Sequence, residues 1–496
     1  MTGAPARRER PPARLERLKV SADGRRLVTA SDRPFLYLAD TAWTLPQRLK
    51  WDDARYYMQR RRQQGFTALQ IVALDPERDV EMRDPAGDPA LLDGDLDRPN
   101  EAYFGYLDRL LDLAESLGFY VLLLPVWGQL VVGDSWGGGT FPRTVTVENA
   151  YGFGRWIGDR YRDRTNLIWC LGGDRQPLHR GVDYRDVWRR LAEGIAHGVT
   201  GETAQWDVPS SVWDRVLITY HTCYEMETGE FSTMSYWGDE EAWISFITLQ
   251  SGHGRHTRSY AAVRREVERA RVLPVLDAEP AYERMPMNWP EPFPLHGDWI
   301  VRMRAYGNLL AGAFGHTYGH ASVWCMISEK ERNEVLDATW FDALSHPGAG
   351  QMTVLRGLAE AMDLHRWVPA QSILAHEAQC GPQCVDRHRQ AAVDRDGEFL
   401  LVYLTDGGSE TLSLERLASG RTYRGVWFDP RSGELAGEPF EVPLLRQTLV
   451  TAPTAGPECD WLLVVTSRAG QLERLAQPPT WGEPPDVGGM SMVWAE

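Results

Sequence analysis

Between Pro34 and about Leu364 the chain alternates short apolar β-rich runs with amphipathic stretches of helical period. That alternation confines it to a parallel sheet wrapped by helices. The apolar runs are Phe35–Ala39, Ala68–Ala73, Tyr120–Leu124, Leu167–Leu171, Val216–Tyr220, Ile244–Leu249, Val272–Leu276 and Phe314–Tyr318. Among them lie Trp51–Gln64, Tyr103–Leu117, Ala150–Tyr161, Tyr184–His197, Arg258–Ala270, Asp298–Ala311 and Met352–Met362, each with apolar positions at helical spacing. Eight strands with intervening helices, in roughly 330 residues, is the count of a closed (β/α)8 TIM barrel. An open doubly wound sheet is the alternative, but no Gly-rich phosphate loop follows the first run.

The flanks read differently. Leu18–Val20 and Leu27–Thr29 surround an Asp-Gly turn and form a hairpin under the barrel. After about Pro369 helical periodicity stops. Short runs such as Phe399–Tyr403, Tyr423–Phe428 and Trp461–Val465, separated by Asp-Gly and Asp-Pro turns, predict a small all-β sandwich. The domain plan is a disordered N-terminal arm over 1–17, a catalytic barrel with its hairpin over 18–368, a sandwich over 369–470, and a Pro/Gly-rich tail over 471–496.

A formal net charge of −16 argues against nucleic acid, whose phosphates need a basic face, and leaves neutral sugars as suitable ligands. No run approaches the apolar length of a membrane span, so no membrane partner is expected. The Arg- and Pro-rich first 17 residues lack the apolar core of a secretory leader, and the expected location is the cytoplasm. Scattered cysteines, three of them in apolar runs, suit reduced core thiols, and the Cys380/Cys384 pair has no second pair to make a metal site. Nothing in the sequence excludes a homo-oligomer.

In a barrel the chemistry sits just past the strand C-termini, and polar and aromatic residues recur there. Asp40, Thr41 and Trp43 follow the first run, Asp75 the second, Trp127 and Gln129 the third, and Gly172-Gly173-Asp174 the fourth. His221 follows the fifth, Gln250 and His253 the sixth, Asp277 and Glu279 the seventh, and His316, Tyr318, His320 and Trp324 lie at or past the eighth. There is no Gly-x-Ser-x-Gly elbow and no His-Glu-x-x-His among them. Glycoside hydrolysis needs two carboxyl groups, and Asp174 and Glu279 leave the barrel on roughly opposite sides, so both are assigned as catalytic. Trp43, Trp127, Trp324 and Tyr318 are candidate stacking walls, while Asp40, Gln129, His221 and His253 are candidate hydroxyl ligands. Gln70, Asp277, His316 and His320 complete the substrate-binding set. No cofactor or metal is expected. The alternatives are a metal-dependent barrel hydrolase using His221, His253, His316, His320 and Asp40, and a non-catalytic carbohydrate- or matrix-binding protein.

Several blocks share one resemblance. Pro34-Phe-Leu-Tyr-Leu-Ala-Asp-Thr-Ala-Trp43, Gly65–Gln70, Asn166-Leu-Ile-Trp-Cys-Leu-Gly-Gly-Asp174, Leu249–His253, Pro274-Val-Leu-Asp-Ala-Glu-Pro-Ala-Tyr-Glu283 and Gly315–His320 resemble the apiosidase-like glycoside hydrolases, also called glycoside hydrolase family 140. Gly425–Gly433 is similar to the collagen-binding-type β-domain that follows such barrels. The resemblance implies a catalytic Asp at Asp174, a catalytic Glu at Glu279, a bacterial source, and action on plant-derived or related glycans with apiose as the best-known sugar. It also implies a C-terminal domain that braces the barrel rather than one that binds collagen.

Overall fold

The computed structural model describes residues 14–134, 140–225, 228–288, 291–375 and 385–477. Eight parallel strands form the barrel: β1 (Tyr37–Thr41), β2 (Ala68–Val72), β3 (Tyr120–Leu124), β4 (Leu167–Gly172), β5 (Ile218–His221), β6 (Ile247–Leu249), β7 (Val275–Asp277) and β8 (Gly315–Tyr318). Hydrogen-bonded ladders join them in the order β8-β1-β2-β3-β4-β5, with β6-β7 as a separate pair. The two seams are bridged by Ser245 N–H to Ile218 O at 2.8 Å and Phe314 N–H to Val275 O at 3.0 Å. The helices α1 (Trp51–Gln63), α2 (Glu101–Ser116), α3 (Ala150–Arg160), α4 (Arg185–Thr200), α5 (Ser259–Val267), α6 (Asp298–Leu310) and α7 (Pro347–Ala361) pack outside. Among the described residues none of these helices is long and apolar enough to cross a membrane.

Parallel register sorts side chains into two layers, because residues in register share a face. Ala39, Ala68 and Tyr120 align, as do Gln70, Leu122 and Ile168, then Gly172 with His221, and these point into the barrel. Leu38 aligns with His316, Asp40 with Leu69 and Tyr318, and Leu249 with Asp277, and these face the helices. The two sets belong to separate apolar clusters, one filling the barrel and one lying between sheet and helices.

Glycine sets one helix contact. Gly154 and Gly158 of α3 meet Gly194 and Gly198 of α4 so closely that a Cβ at Gly198 would lie 2.3 Å from Arg155 O, and one at Gly154 2.5 Å from Leu191 O. Alanine is the better helix former by about 1 kcal/mol, but here it must push two backbones apart at a cost of about 1–3 kcal/mol. We therefore expect Gly198→Ala to lower the urea midpoint. Gly105→Ala in α2, where a Cβ meets nothing within 4 Å, should raise it by the propensity gain. A rise for both would show that the α3–α4 contact yields freely.

The hairpin strands Leu18–Val20 and Leu27–Thr29 pair antiparallel, and Leu18 and Leu27 join the inner cluster at the barrel floor. Buried Arg26 donates to Gly312 O at 2.7 Å and to Trp367 O at 3.1 Å, fastening that floor to the chain around β8. Part of the expected arm is ordered against the barrel: Glu16 O accepts from the Tyr120 hydroxyl at 2.6 Å, and Arg17 reaches Arg162 O at 3.2 Å. Residues 1–13 lie outside the described ones.

The C-terminal strands are β9 (Trp367–Pro369), β10 (Arg389–Asp394), β11 (Phe399–Leu404), β12 (Gly407–Leu412), β13 (Tyr423–Phe428), β14 (Leu435–Val442), β15 (Thr448–Ala455) and β16 (Trp461–Thr466). Six form an antiparallel sheet, β9-β10-β11-β16-β13-β14, and β12 pairs with β15 beside it. Leu400, Val402, Leu463 and Val465 pack in a core of their own, whereas Leu401, Tyr403, Leu462 and Val464 join the outer core of the barrel. Burial on both faces explains why β11 and β16 are continuously apolar rather than alternating. The segment read as tail begins differently: α8 (Gln471–Leu475) is a helix with Gln471, Leu472 and Leu475 buried. Residues 478–496 and the Cys380/Cys384 pair lie outside the described residues.

Candidate active site

Strand β4 ends in three consecutive left-handed residues, Gly172 (φ 86°), Gly173 (φ 104°) and Asp174 (φ 50°). The glycines are required by contact as well as by φ. A Cβ at Gly172 would lie 2.2 Å from His221 O, and one at Gly173 2.5 Å from Trp127 Cε3. Asp174 has no such freedom, and left-handed strain on a non-glycine residue is concentrated at functional positions. The tight turn brings the Asp174 carboxyl over the barrel mouth. There Gln250 Nε2 donates to Oδ1 at 2.6 Å and His221 Nε2 lies 3.5 Å from the same oxygen.

Glu279 rises from β7 on the other side. Its Oε2 accepts from the Trp43 indole N–H at 3.3 Å and lies 3.3 Å from His221 Nε2, while Oε1 lies 3.5 Å from His253 Nε2. The side chains of Asp174 and Glu279 are 18% and 6% exposed, so Asp174 is the more open to an incoming oxygen. Trp43, Trp127 and His221 form an aromatic floor, with centroids 5.6 Å apart for the two indoles and 5.4 Å for Trp43 and His221.

This arrangement polarises the two acids in opposite directions. Burial would lift the Glu279 carboxyl, but the close approach of the His221 and His253 imidazoles outweighs it and holds Glu279 well below the usual carboxylate range. Burial, reinforced by the Glu279 charge, raises Asp174 above its ordinary value. Burial pulls His221 down, yet its contacts with Asp174 and Glu279 push it up to about 9, so it is an imidazolium between two carboxyls at neutral pH. One acid pushed toward its neutral form beside another pushed toward its ionised form is the division of labour that acid–nucleophile chemistry uses.

The structure brings together Asp174, Glu279, His221, His253, Trp43 and Trp127. Trp324 stays partly exposed at the rim, with Arg78 5.7 Å over its ring. Gln129 is buried at the start of the helical turn Gln129–Val132. Gln70 lies inside the barrel, bonded to the Tyr37 hydroxyl at 3.2 Å and to Ala278 O at 2.9 Å. Five expected ligands are corrected. Asp40 faces the helices and binds Arg61 Nε and the Tyr57 hydroxyl, each at 2.5 Å. Asp277 is outward too, held by Ser251 Oγ at 2.7 Å and Asn308 Nδ2 at 3.0 Å. His316 is buried in register with Leu38, and burial pushes it down to about 3. Tyr318 donates outside the barrel to Glu283 at 2.7 Å, and His320 is tied to His346 at 2.9 Å. In each case strand parity, not nearness to the strand end, decided the direction.

Two residues escaped the sequence reading. Glu77 accepts from the Trp127 indole N–H at 3.1 Å, and its only signal was its place two residues past Asp75. Buried Tyr282 stands beside Glu279 and Thr41, and its only sequence signal was its place in the Pro274–Glu283 block. The metal set of the alternative reading is not assembled, since Asp40, His316 and His320 face outward. Ligand atoms of Asp174, His221 and Glu279 do lie within 4.8 Å of one another, close enough for a cation. However, the Trp43 and Gln250 N–H donors already point at those carboxylate oxygens, as they would for a hydrogen-bonded acid pair.

Among solved structures the chain is similar to a glycoside hydrolase family 5 protein from Bacteroides vulgatus ATCC 8482. The two are 25% identical, with 94% of this chain and 95% of that one covered and a TM-score of 0.77. A second structure, described as a glycoside hydrolase, shares the fold at 24% identity, with 92% of this chain and 97% of that one covered and a TM-score of 0.76. No curated protein matches. Fold and neighbours define the chain as a barrel glycoside hydrolase. Within that class it belongs to the apiosidase-like family, whose catalytic-domain model matches residues 21–366, and residues 368–466 match the model described as "Putative collagen-binding domain of a collagenase".

Proposed function

We propose that the protein cleaves a glycosidic bond in plant-type or related oligosaccharides, apiosides first among them, by a two-carboxylate mechanism with net retention. The observation that carries this is the facing pair itself: carboxylate oxygens of Asp174 and Glu279 lie within 4.8 Å of each other, with opposite charge preferences. Retaining enzymes hold their carboxyl groups about 5–5.5 Å apart, whereas inverting ones need about 6.5–9.5 Å to admit a water. Protonated Asp174 delivers its proton to the leaving oxygen as Glu279 attacks the anomeric carbon, giving a glycosyl ester. Asp174, now a carboxylate, takes a proton from water, whose oxygen displaces Glu279 and restores both groups. His221 and His253 keep Glu279 anionic before attack, and the Trp43 and Trp127 faces supply stacking surface for the sugar.

The test is hydrolysis of a panel of aryl furanosides, aryl pyranosides and plant side-chain oligosaccharides, with and without chelator, the first-formed anomer being read by NMR. Cleavage with retention and no chelator effect is the expected result. Loss of activity with chelator would move the reading to a cation held by Asp174, His221 and Glu279, and silence across the panel to a binding protein.

The pH profile follows from the same charges. Proton loss from Asp174 should set the alkaline limb of kcat/KM. Glu279, held low, ionises before the usual carboxylate range, so activity should persist into acid and fail only as pH drops through its depressed value. An acid limb at an ordinary glutamate value would show that His221 and His253 do not hold Glu279 as described.

A further inference from the structure

Past β2 the chain runs Asp75-Pro76-Glu77 into the barrel mouth, and the Glu77 N–H is fixed on Asp75 Oδ1 at 2.9 Å. The Glu77 side chain crosses to the loop after β3, where Oε1 accepts from the Trp127 indole N–H at 3.1 Å. That indole is confined on its other sides by Trp43, by His221 at 6.3 Å between centroids, and by the Gly173 backbone next to Asp174. Glu77 therefore touches a wall that adjoins Asp174 through Gly173 and packs on the Trp43 and His221 rings that contact Glu279. Its Oε2 has no partner among the described residues and is not enclosed, so it is free to meet a ligand beside Trp127.

We propose that Glu77 is a substrate-positioning residue: one carboxyl oxygen fixes the Trp127 indole, and the other donates a hydrogen bond to a sugar oxygen on the Asp174 side. The proposal rests on the glycosidase reading above. Because Oε1 is an acceptor for the indole, the proton of a neutral Glu77 belongs on Oε2. Burial, then the charge of neighbouring Asp75, pushes Glu77 up to about 8, which favours the protonated form at neutral pH. Arg175 and Arg78 also face Glu77, but Arg175 is engaged with Asp134 at 2.8 Å and Arg78 with Glu331 at 3.9 Å. A neutral acid supplies what a carboxylate cannot, a donor for a sugar oxygen that has no proton to give.

The experiment is steady-state kinetics on a glycoside the wild type cleaves, across about pH 6–9.5, for wild type, Glu77→Leu and Glu77→Gln, with near-UV circular dichroism as the check on Trp127. Wild-type KM should rise about tenfold through pH 8 with a smaller change in kcat, as the donor is lost. Glu77→Leu should show the raised KM at every pH. Glu77→Gln keeps an acceptor for the indole and offers N–H to the sugar, so its KM should return to within about threefold and stay flat through pH 8. Turnover by wild type with an unaltered KM in Glu77→Leu overturns the proposal and spares the glycosidase reading. Absence of any turnover by wild type overturns both. If Glu77→Leu loses its fold signal, Glu77→Gln decides: a KM rise that persists through pH 8 overturns the proposal, and a flat profile supports it.

Discussion

Glu279→Gln should fold as the wild type does and lose glycosidase turnover by at least about a thousandfold, because an amide cannot form the glycosyl ester. The substitution is close to isosteric, and the new amide oxygen can still accept from Trp43, whose indole lies 3.3 Å from Oε2. Its second effect falls on His221. With the Glu279 charge gone, one of the two partners holding that imidazole protonated disappears, and its value should fall from about 9. Asp174→Asn separates the roles. It should cost about 10²–10⁴ on a glycoside with a poor leaving group and much less on a nitrophenyl glycoside, whose leaving oxygen needs no proton. Equal losses on both substrates would mean that Asp174 is not the acid, and turnover surviving in Glu279→Gln would mean that the nucleophile is elsewhere.

The sequence displayed the barrel because apolar runs alternate with amphipathic ones, and burial on both faces leaves little ambiguity about where a strand lies. It also displayed the two carboxyls, since Gly-Gly-Asp and Glu-Pro are local signals of a constrained strand end. Direction was harder to read. Asp277 ends β7 with Glu279 just past it, and Asp40 lies in β1 with Trp43 just past it, yet one of each pair braces helices while the other enters the cleft. For Asp40 and Trp43 parity decides this only once register with the neighbouring strand is known, and register is a long-range property; Asp277 and Glu279 share parity, and Glu279 enters the cleft past the end of β7. Tyr318 and His320 were misplaced for the same reason. Glu77 was hidden differently: its partner Trp127 is 50 residues away, and only the folded barrel brings the two loops together.

Asp460→Ala should be among the most destabilising single changes in the molecule, by about 3 kcal/mol in denaturant unfolding, because it leaves a buried guanidinium with only the partly exposed Asp298 as counter-charge. Arg302 on α6 donates to both Asp460 oxygens, at 3.0 Å and 2.9 Å, and the two side chains are 2% and 0% exposed. The Tyr403 hydroxyl adds a third bond to Asp460 at 2.8 Å, and Arg302 also binds Gln351 at 2.7 Å. The pair joins the β-domain to the barrel where the sheet and the outer core already share one cluster. Burial opposes the charge on Arg302, but Asp460 outweighs it in the wild type, and a guanidinium does not shed its proton in proteins, so Arg302 cannot relieve the loss by neutralising. The control is Arg302→Met with Asp460→Leu, which removes both charges and should recover most of the stability. Damage from Asp460→Ala should also reach the active site. Helix α6 carries Asn308, which with Ser251 holds Asp277, and Ser251 directly follows the Gln250 that donates to Asp174. A brace of this kind gives the C-terminal domain a purpose independent of any ligand. A stable Asp460→Ala variant with wild-type kinetics would remove that purpose, and the two domains would then have to be treated as energetically separate.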